Sequence, residues 1–211
     1  MNHKQRHRRL RLLTKKLNKE RKKQAKKIDI LCNDLITAQR DFIKRLNTIS
    51  FTANFYETII GTTDLSSLIF AAGKHIKDQI SDANIAFFLR KAENFELHMF
   101  ETDRPIMPEK QQLENCFTPE LVENICKSNK ICTLDDMFSM GLAGNPACLN
   151  KVSAVTIPLG LLGPSLGFIL IYRSSKNKLN LEELNNISAI TSGLSRAIAS
   201  HQVPLRSHSA D

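Results

Sequence analysis

The stretch from residue 152 to residue 173 constrains the fold of this chain more than any other. It reads as an apolar run, a glycine-rich segment and a second apolar run. β-Branched and aromatic residues suit a pleated, half-buried surface, and Gly163-Pro164 cannot continue a regular element, so the chain reverses direction there. The stretch therefore predicts two adjacent antiparallel strands in the core of a sheet.

The rest of the body supplies further strands and helices around this pair. Periodicity and capping residues predict helices at Thr63–Ile80, from Thr118-Pro119 to about residue 129, and from Asn180 to about residue 200. Alternation predicts strands within Asn84–Phe100 and at Ile131–Leu134, and residues 101–117 and 135–150 look irregular. This order predicts an α+β fold, with an antiparallel sheet of five to six strands, flanking helices and a long N-terminal helix.

The N-terminal segment is predicted to be one helix over residues 1 to about 52, because neither Pro nor Gly precedes Gly61. From residue 28 its apolar residues recur three and four apart, which is the heptad pattern of a coiled coil. This seam consists of Ile28, Leu31, Leu35, Ala38, Phe42 and Ile49. The upstream Leu10, Leu13 and Leu17 are about one residue out of phase, as a stutter produces. We expect the seam to pair two copies of the chain; packing on its own domain is the alternative.

Positive charge is concentrated at the N-terminus. Residues 1–27 hold thirteen Lys and Arg and one acidic residue, for a net charge of +12, whereas the whole chain carries +9. Nucleic acid and anionic membrane are both open as targets of this arm, and so is a merely solvated helix. The arm has no aromatic residue to stack on bases. The candidate polyanion-binding residues are Arg6, Arg8, Arg9, Arg11, Lys15, Lys16, Arg21, Lys22, Lys23, Lys26 and Lys27.

Cysteine usage favours free thiols in a reducing compartment, and we expect a cytoplasmic protein. The five cysteines are an odd number and none forms a Cys-x-x-Cys pair, so neither a disulfide framework nor a zinc site is predicted. The charged N-terminus does not have the apolar core of a secretory signal. The longest apolar run is too short to cross a bilayer as a helix.

Residues 54–200 resemble a GAF domain, the small-molecule sensor module of phytochromes, cyclic-nucleotide phosphodiesterases and many bacterial regulators. The resemblance is carried by the strand pair Val152–Arg173, with Ile157-Pro158-Leu159 ending one strand and Gly167-Phe168 opening the next, and by the preceding helix and hairpin. It implies an antiparallel sheet with helices on one face and a pocket on the other, closed here by residues 101–150. It also implies dimerisation through the flanking helices.

The sequence does not match the residue patterns of three GAF subfamilies whose chemistry is known. Asn150-Lys151 is followed by no acidic residue as far as Ser175, unlike the cyclic-GMP-binding subset. No cysteine of the pocket-closing segment has an adjacent histidine, unlike bilin-attaching members. The GAF-fold free methionine sulfoxide reductases use cysteines in this region, but the spacing of Cys116, Cys126 and Cys132 gives no match. No cofactor or metal is therefore predicted, and an unknown small-molecule ligand is possible.

The sequence predicts a non-enzymatic sensory or regulatory module. We expect a basic arm (1–27), a coiled-coil helix (28–52), a GAF-like domain (53–201) and a disordered tail (202–211). A homodimer would bind a small molecule or partner protein and act through an unknown output protein. The alternatives are a thiol-dependent free methionine sulfoxide reductase, or an interaction protein whose arm binds nucleic acid or anionic membrane. The candidate pocket residues are Phe87, Leu89, Leu97, Met99, Met137, Phe138, Met140 and Leu142.

Overall fold

The computed structural model describes residues 3–91, 94–102, 113–144, 149–160 and 165–202. The contacts divide the chain into two units, residues 1–47 and residues 48–211. The finer division at residues 27, 52 and 201 stays a prediction. Residues 203–211, most of the predicted tail, lie outside the described residues, as does the Gly163-Pro164 turn.

Helix α1 extends from His3 to Ile59 without interruption. It is longer than the sequence pattern predicted, because Phe51 and Phe55 in its last turns are buried in the core of the second unit. The chain leaves the helix at Gly61, whose φ of 91° is a left-handed conformation that glycine adopts without strain. Every described residue from His3 to Asn47 is exposed.

Five antiparallel strands form one sheet in the order β2-β1-β5-β4-β3. The predicted α+β fold is thus confirmed, and the central pair is the one that the sequence indicated: Val155 of β4 lies opposite Ile171 of β5. The strands are β1 (Asn84–Lys91), β2 (Asn94–Phe100), β3 (Cys132–Thr133), β4 (Val152–Leu159) and β5 (Gly167–Ser174).

The remaining helices begin at the residues that the capping rules pick out. The side chains of Asp64 and Thr118 accept backbone N–H groups of the first turn, and Asn180 and Glu183 bond each other's backbone. The prediction that residues 135–150 are irregular was wrong in part, since Thr133 and Asp136 form a capping box at the start of a short helix. These helices are α2 (Leu65–Gln79), a 3₁₀ turn (Leu113–Cys116), α3 (Pro119–Ser128), α4 (Leu134–Ser139) and α5 (Leu181–Gln202).

The sheet is buried on both faces. Alternate side chains of β1 and β5 point to opposite sides, so Ile85, Phe87 and Leu89 pack against the end of α1, α2 and α5. We call this the helix-side face. Ala86 and Phe88 instead pack with the 3₁₀ turn, α3 and α4, and we call this the loop-side face.

Gly167 is fixed by a close approach of two strands. Its φ is +136°, and a Cβ placed there would lie 1.8 Å from the carbonyl oxygen of Phe88. No other residue can occupy this position without moving β5 away from β1, so this glycine sets the contact between the two central strands.

Candidate functional site

The loop-side face is the side of the sheet on which the sequence placed a pocket. Its floor is an aromatic stack: the rings of Phe88 and Phe168 lie 4.7 Å apart at 20°, and the rings of Phe88 and Phe117 lie 5.1 Å apart at 28°. Met137 of α4 and Leu113 of the 3₁₀ turn are fully buried over this floor. The face is therefore a buried apolar layer formed by side chains from the strands and from the intervening segment.

The structure brings together only part of the predicted pocket. Met137, Leu142, Met99, Phe138 and Met140 belong to the loop-side cluster, as expected. Met137 and Leu142 are buried there, and the other three are partly buried.

Phe87, Leu89 and Leu97 do not join that group. Phe87 and Leu89 face the helix-side cluster. In the hairpin, Ala86 lies opposite Met99 and Phe88 opposite Leu97, so these residues share the loop-side face. Phe87 and Leu89 alternate with Ala86 and Phe88 along β1 and therefore point to the other face. Leu97 is 43% exposed at the edge of the sheet. Phe88 is the residue that sequence reasoning missed. The register of the hairpin would have identified it, since residues directly opposite on paired strands share a face.

A buried polar network lies at one end of the loop-side face. The Tyr172 hydroxyl donates to Oε2 of Glu114 at 2.6 Å, and Asn84 Nδ2 donates to the Tyr172 oxygen at 3.0 Å. The backbone N–H of Thr102 donates to Asn84 Oδ1 at 2.7 Å. These contacts tie β1, β5 and the 3₁₀ turn into one hydrogen-bonded unit.

Glu114 is the chemically unusual member of this network. It is only 5% exposed, and its Oε1 is buried with no hydrogen-bond partner among the described residues. Burial raises the pKa of Glu114, because a carboxylate charge is poorly solvated inside a protein. Burial and then the hydrogen bond to Glu114 raise the pKa of Tyr172. The site therefore offers an unsatisfied carboxyl oxygen to a polar group. No periodicity in residues 101–117 pointed to Glu114.

A cavity of about 560 Å³ lies elsewhere, where the ends of β1 and β2 meet α2 and α5. Of the predicted pocket residues, only Leu89 lines it; the others are Leu65, Ser66, Arg90, Lys91, Glu96, His98, Ser165, Leu166 and Gln202. Its cations already have partners, since Arg90 pairs with Glu123 at 2.7 Å and Lys91 with Glu96 at 2.9 Å. Among the described residues, the cavity therefore offers no unpaired cation to an ionic ligand.

The cysteines do not form a reactive cluster in the part of the chain that is described. Cys126 and Cys132 are buried and Cys116 is half-buried, all as free thiols. Burial raises the pKa of Cys116 and Cys126, which lowers the fraction of nucleophilic thiolate. Cys148 lies outside the described residues.

The described ranges contain neither a cluster of metal-binding side chains nor a helix that could span a membrane. Within them, no three or more His, Cys, Asp or Glu residues are grouped to hold a metal ion. None of the helices there combines the length and apolar character needed to cross a bilayer.

The seam and the basic arm both lie on α1. The large seam residues Ile28, Leu31, Leu35, Phe42 and Ile49 are 59–69% exposed in the single chain, and Ala38 is exposed too. All eleven candidate polyanion-binding residues are exposed on the same helix. Lys4 and Lys19, which the candidate set omitted, are equally exposed.

Comparison with solved structures shows what fold the body has. The chain is similar to the GAF domain/HD domain protein from Geobacter sulfurreducens, at 17% identity and a TM-score of 0.50 over 68% of this chain and 97% of that one. It is similar to the GAF domain of a phosphoenolpyruvate-protein phosphotransferase from Coxiella burnetii, at 12% identity and a TM-score of 0.52 over 74% and 94%. No protein-family model matches the sequence, and the search of curated proteins found no match.

A third similar structure comes from a bacteriophytochrome. It is the chromophore-binding domain of Stigmatella aurantiaca bacteriophytochrome, at 14% identity and a TM-score of 0.53 over 74% of this chain and 60% of that one. At these identities the likeness shows the fold alone: the body of this protein has a GAF-like fold.

Proposed function

We propose that the chain is a non-enzymatic GAF-type regulatory module that binds a small molecule on the loop-side face and dimerises through α1. Solved structures with this fold include a putative GAF sensor protein from Burkholderia vietnamiensis and the chromophore-binding domain described above. Such a module changes the activity of a partner protein by changing its own conformation when the ligand binds.

The observation that carries the ligand proposal is the unpaired Oε1 of Glu114. A buried polar atom without a partner costs about 1–3 kcal/mol, and its retention is explained if a ligand satisfies it. The aromatic stack of Phe88, Phe117 and Phe168 offers apolar contact beside it. The ligand that fits is a small molecule with a flat or apolar part and a hydrogen-bond donor, such as an amide, an amine or a hydroxyl.

The sheet connects this face to the dimerising helix. Along β1, loop-side Ala86 and Phe88 alternate with helix-side Ile85 and Phe87, so a shift of the strand moves both clusters. The helix-side cluster includes Phe55 at the end of α1 and residues of α5. A ligand that prefers one position of the strand would bias the arrangement of these helices.

The dimer proposal is supported by the seam. A row of large apolar side chains that is more than half exposed is typical of a helix that pairs in solution. The basic arm would not drive this pairing, since like charges repel. We therefore assign self-association to the segment from Ile28 to Ile49.

The non-enzymatic part of the proposal is supported by the burial of the thiols. A nucleophilic cysteine needs access and a low pKa, whereas burial raises the pKa of Cys116 and Cys126. We expect no turnover of free methionine sulfoxide by the protein with a thiol reductant. Turnover that is lost in Cys116→Ser or Cys126→Ser would contradict this part.

The test of ligand binding compares three proteins purified from the same cells: wild type, Glu114→Gln and Glu182→Gln. Small molecules released by denaturation are measured by mass spectrometry against the amount of protein. We expect one compound close to stoichiometric with the wild type, retained by the exposed-site control Glu182→Gln and depleted at least tenfold (~1.4 kcal/mol) in Glu114→Gln. Equal retention by Glu114→Gln, or no compound in any sample, would contradict the proposed site.

A further inference from the structure

The cations of the arm lie on one side of α1. Because the helix is continuous from His3, each residue is rotated about 100° from the previous one. At that rotation, eleven of the thirteen Lys and Arg residues of the arm fall within an arc of about 160°. We call this arc the basic face: Lys4, Arg8, Arg9, Arg11, Lys15, Lys16, Lys19, Lys22, Lys23, Lys26 and Lys27. Arg6 and Arg21, which the charge pattern alone placed among the polyanion-binding candidates, lie outside this arc and are not part of the proposed binding face.

Three of the four leucines of the arm lie on the opposite side, whereas Leu12 falls within the arc of the basic face. Leu10, Leu13 and Leu17 are centred roughly 160° away from the middle of the basic face. In a straight helix they are also on the same side as Ile28 and Leu31, eighteen and more residues later, because eighteen residues make about five turns. The one-residue offset between the two heptad series therefore does not place them on different sides of the helix. The basic face does not overlap the seam.

We propose that the basic face of α1 binds the phosphate backbone of a nucleic-acid duplex without reading its base sequence. From Lys4 to Lys27 the face is about 35 Å long at 1.5 Å per residue. That is close to one turn of a B-form duplex, about 34 Å, which carries one phosphate charge per about 1.7 Å of its axis. A rod of exposed cations on one side of a helix can therefore contact several phosphates at once.

The duplex is favoured over a single strand by the lack of aromatic residues. Proteins that hold single strands combine cations with aromatic rings on which bases stack. No Phe, Tyr or Trp precedes Phe42 in this chain, so the arm has no such platform.

The duplex is favoured over a membrane by the geometry of the two faces. A helix that lies on a bilayer inserts its apolar side and keeps its Lys and Arg on the polar face. Here Leu10, Leu13 and Leu17 lie on the same side of α1 as the seam, so the proposed pairing of α1, on which this step rests, covers the apolar side that a bilayer would take up. This inference does not rest on the ligand site and extends the proposed function to a second partner.

The test uses the full chain and two double variants with the same change of charge at neighbouring positions. Arg8→Gln with Lys22→Gln removes two cations from the basic face, and Arg6→Gln with Arg21→Gln removes two from outside it. Gln has a helix propensity close to those of Arg and Lys, and circular dichroism checks that helicity is kept. Binding to a fluorescent duplex of about 24 base pairs is measured by anisotropy at several salt concentrations, where the salt slope reports phosphate contacts.

We expect salt-dependent duplex binding by the wild type, with similar affinity for a second, unrelated duplex. The Arg8/Lys22 variant should bind about 10- to 100-fold more weakly near 0.1 M salt, with the slope of log K against log salt reduced by about 1.8. The Arg6/Arg21 variant should lose less than about threefold and keep the slope. Equal losses in the two variants, or tighter binding to a single strand or to phosphatidylcholine vesicles with phosphatidylserine than to the duplex, would overturn the proposal.

Discussion

Replacing Tyr172 with Phe removes one hydroxyl and tests whether the buried polar network holds the loop-side face together. The ring stays, so packing of the aromatic body against its neighbours is kept. What is lost is the donor to Glu114 at 2.6 Å and the acceptor for Asn84 at 3.0 Å. Both of those partners are nearly fully buried, so water cannot easily replace the hydroxyl.

The magnitude follows from the two hydrogen bonds. A bond to a charged group contributes about 1.5–3 kcal/mol and a neutral one about 0.5–1.5 kcal/mol. The free energy of unfolding should therefore fall by about 2–4 kcal/mol, of which the larger part belongs to Glu114. At about 2–4 °C per kcal/mol for a body of this size, the melting temperature should fall by roughly 4–16 °C.

Urea denaturation followed by circular dichroism measures this loss. The matched control is Tyr56→Phe, at the only other tyrosine of the chain. Its hydroxyl forms no hydrogen bond with any residue that the structure describes. We expect that variant to stay within about 0.5 kcal/mol of the wild type. A loss below about 0.5 kcal/mol in Tyr172→Phe, or an equal loss in both variants, would refute the reasoning.

The remaining predictions concern the pH profile and two structural contacts. Because the pKa of Glu114 is raised in the folded state, its protonated form is favoured by folding, and the stability it contributes is lost as pH rises through that pKa. Glu114→Gln should therefore gain stability relative to the wild type as pH increases from about 4 to about 8, and a difference that shrinks would contradict this sign. Gly167→Ala should cost at least about 3 kcal/mol by urea denaturation, whereas Gly141→Ala, also at positive φ but in open space, should cost only about 1 kcal/mol; similar losses would refute the close approach. Arg173→Met should cost about 3 kcal/mol, because it removes the buried cation that pairs with Glu183 at 2.7 Å and with Asp82 at 3.1 Å, and a loss under about 1 kcal/mol would show that these pairs are dispensable.

The order of elements was predictable because their boundaries have local causes. Two helix starts are visible as short patterns in the sequence and form as expected. One is the cap at Thr118 followed by Pro119, and the other is the reciprocal pair Asn180 and Glu183. The central strand pair was equally visible, because it is a long apolar segment. The end of α1 was not, since Phe51 and Phe55 extend it through tertiary burial rather than through a local signal.

The candidate site was harder to predict because it depends on which side a strand residue faces. Every residue of β1 from Asn84 to Leu89 is buried. Alternation of polar and apolar residues therefore does not show which face of the sheet each side chain points to. Phe87 and Leu89 were therefore placed in the pocket, and Phe88 was missed. Glu114 lies in a segment without periodicity, and its burial depends on Tyr172, fifty-eight residues later.

The proposed function depends on self-association through the seam of α1, and the mass of the particle in solution decides whether the chain pairs. Light scattering of the eluting peak should give about twice the 23.8 kDa of one chain for the wild type. It should give the mass of one chain for Leu31→Asp with Leu35→Asp, because two charges cannot be buried in an apolar helix pair. A wild-type protein with the mass of one chain, or a variant whose mass is unchanged, would contradict it.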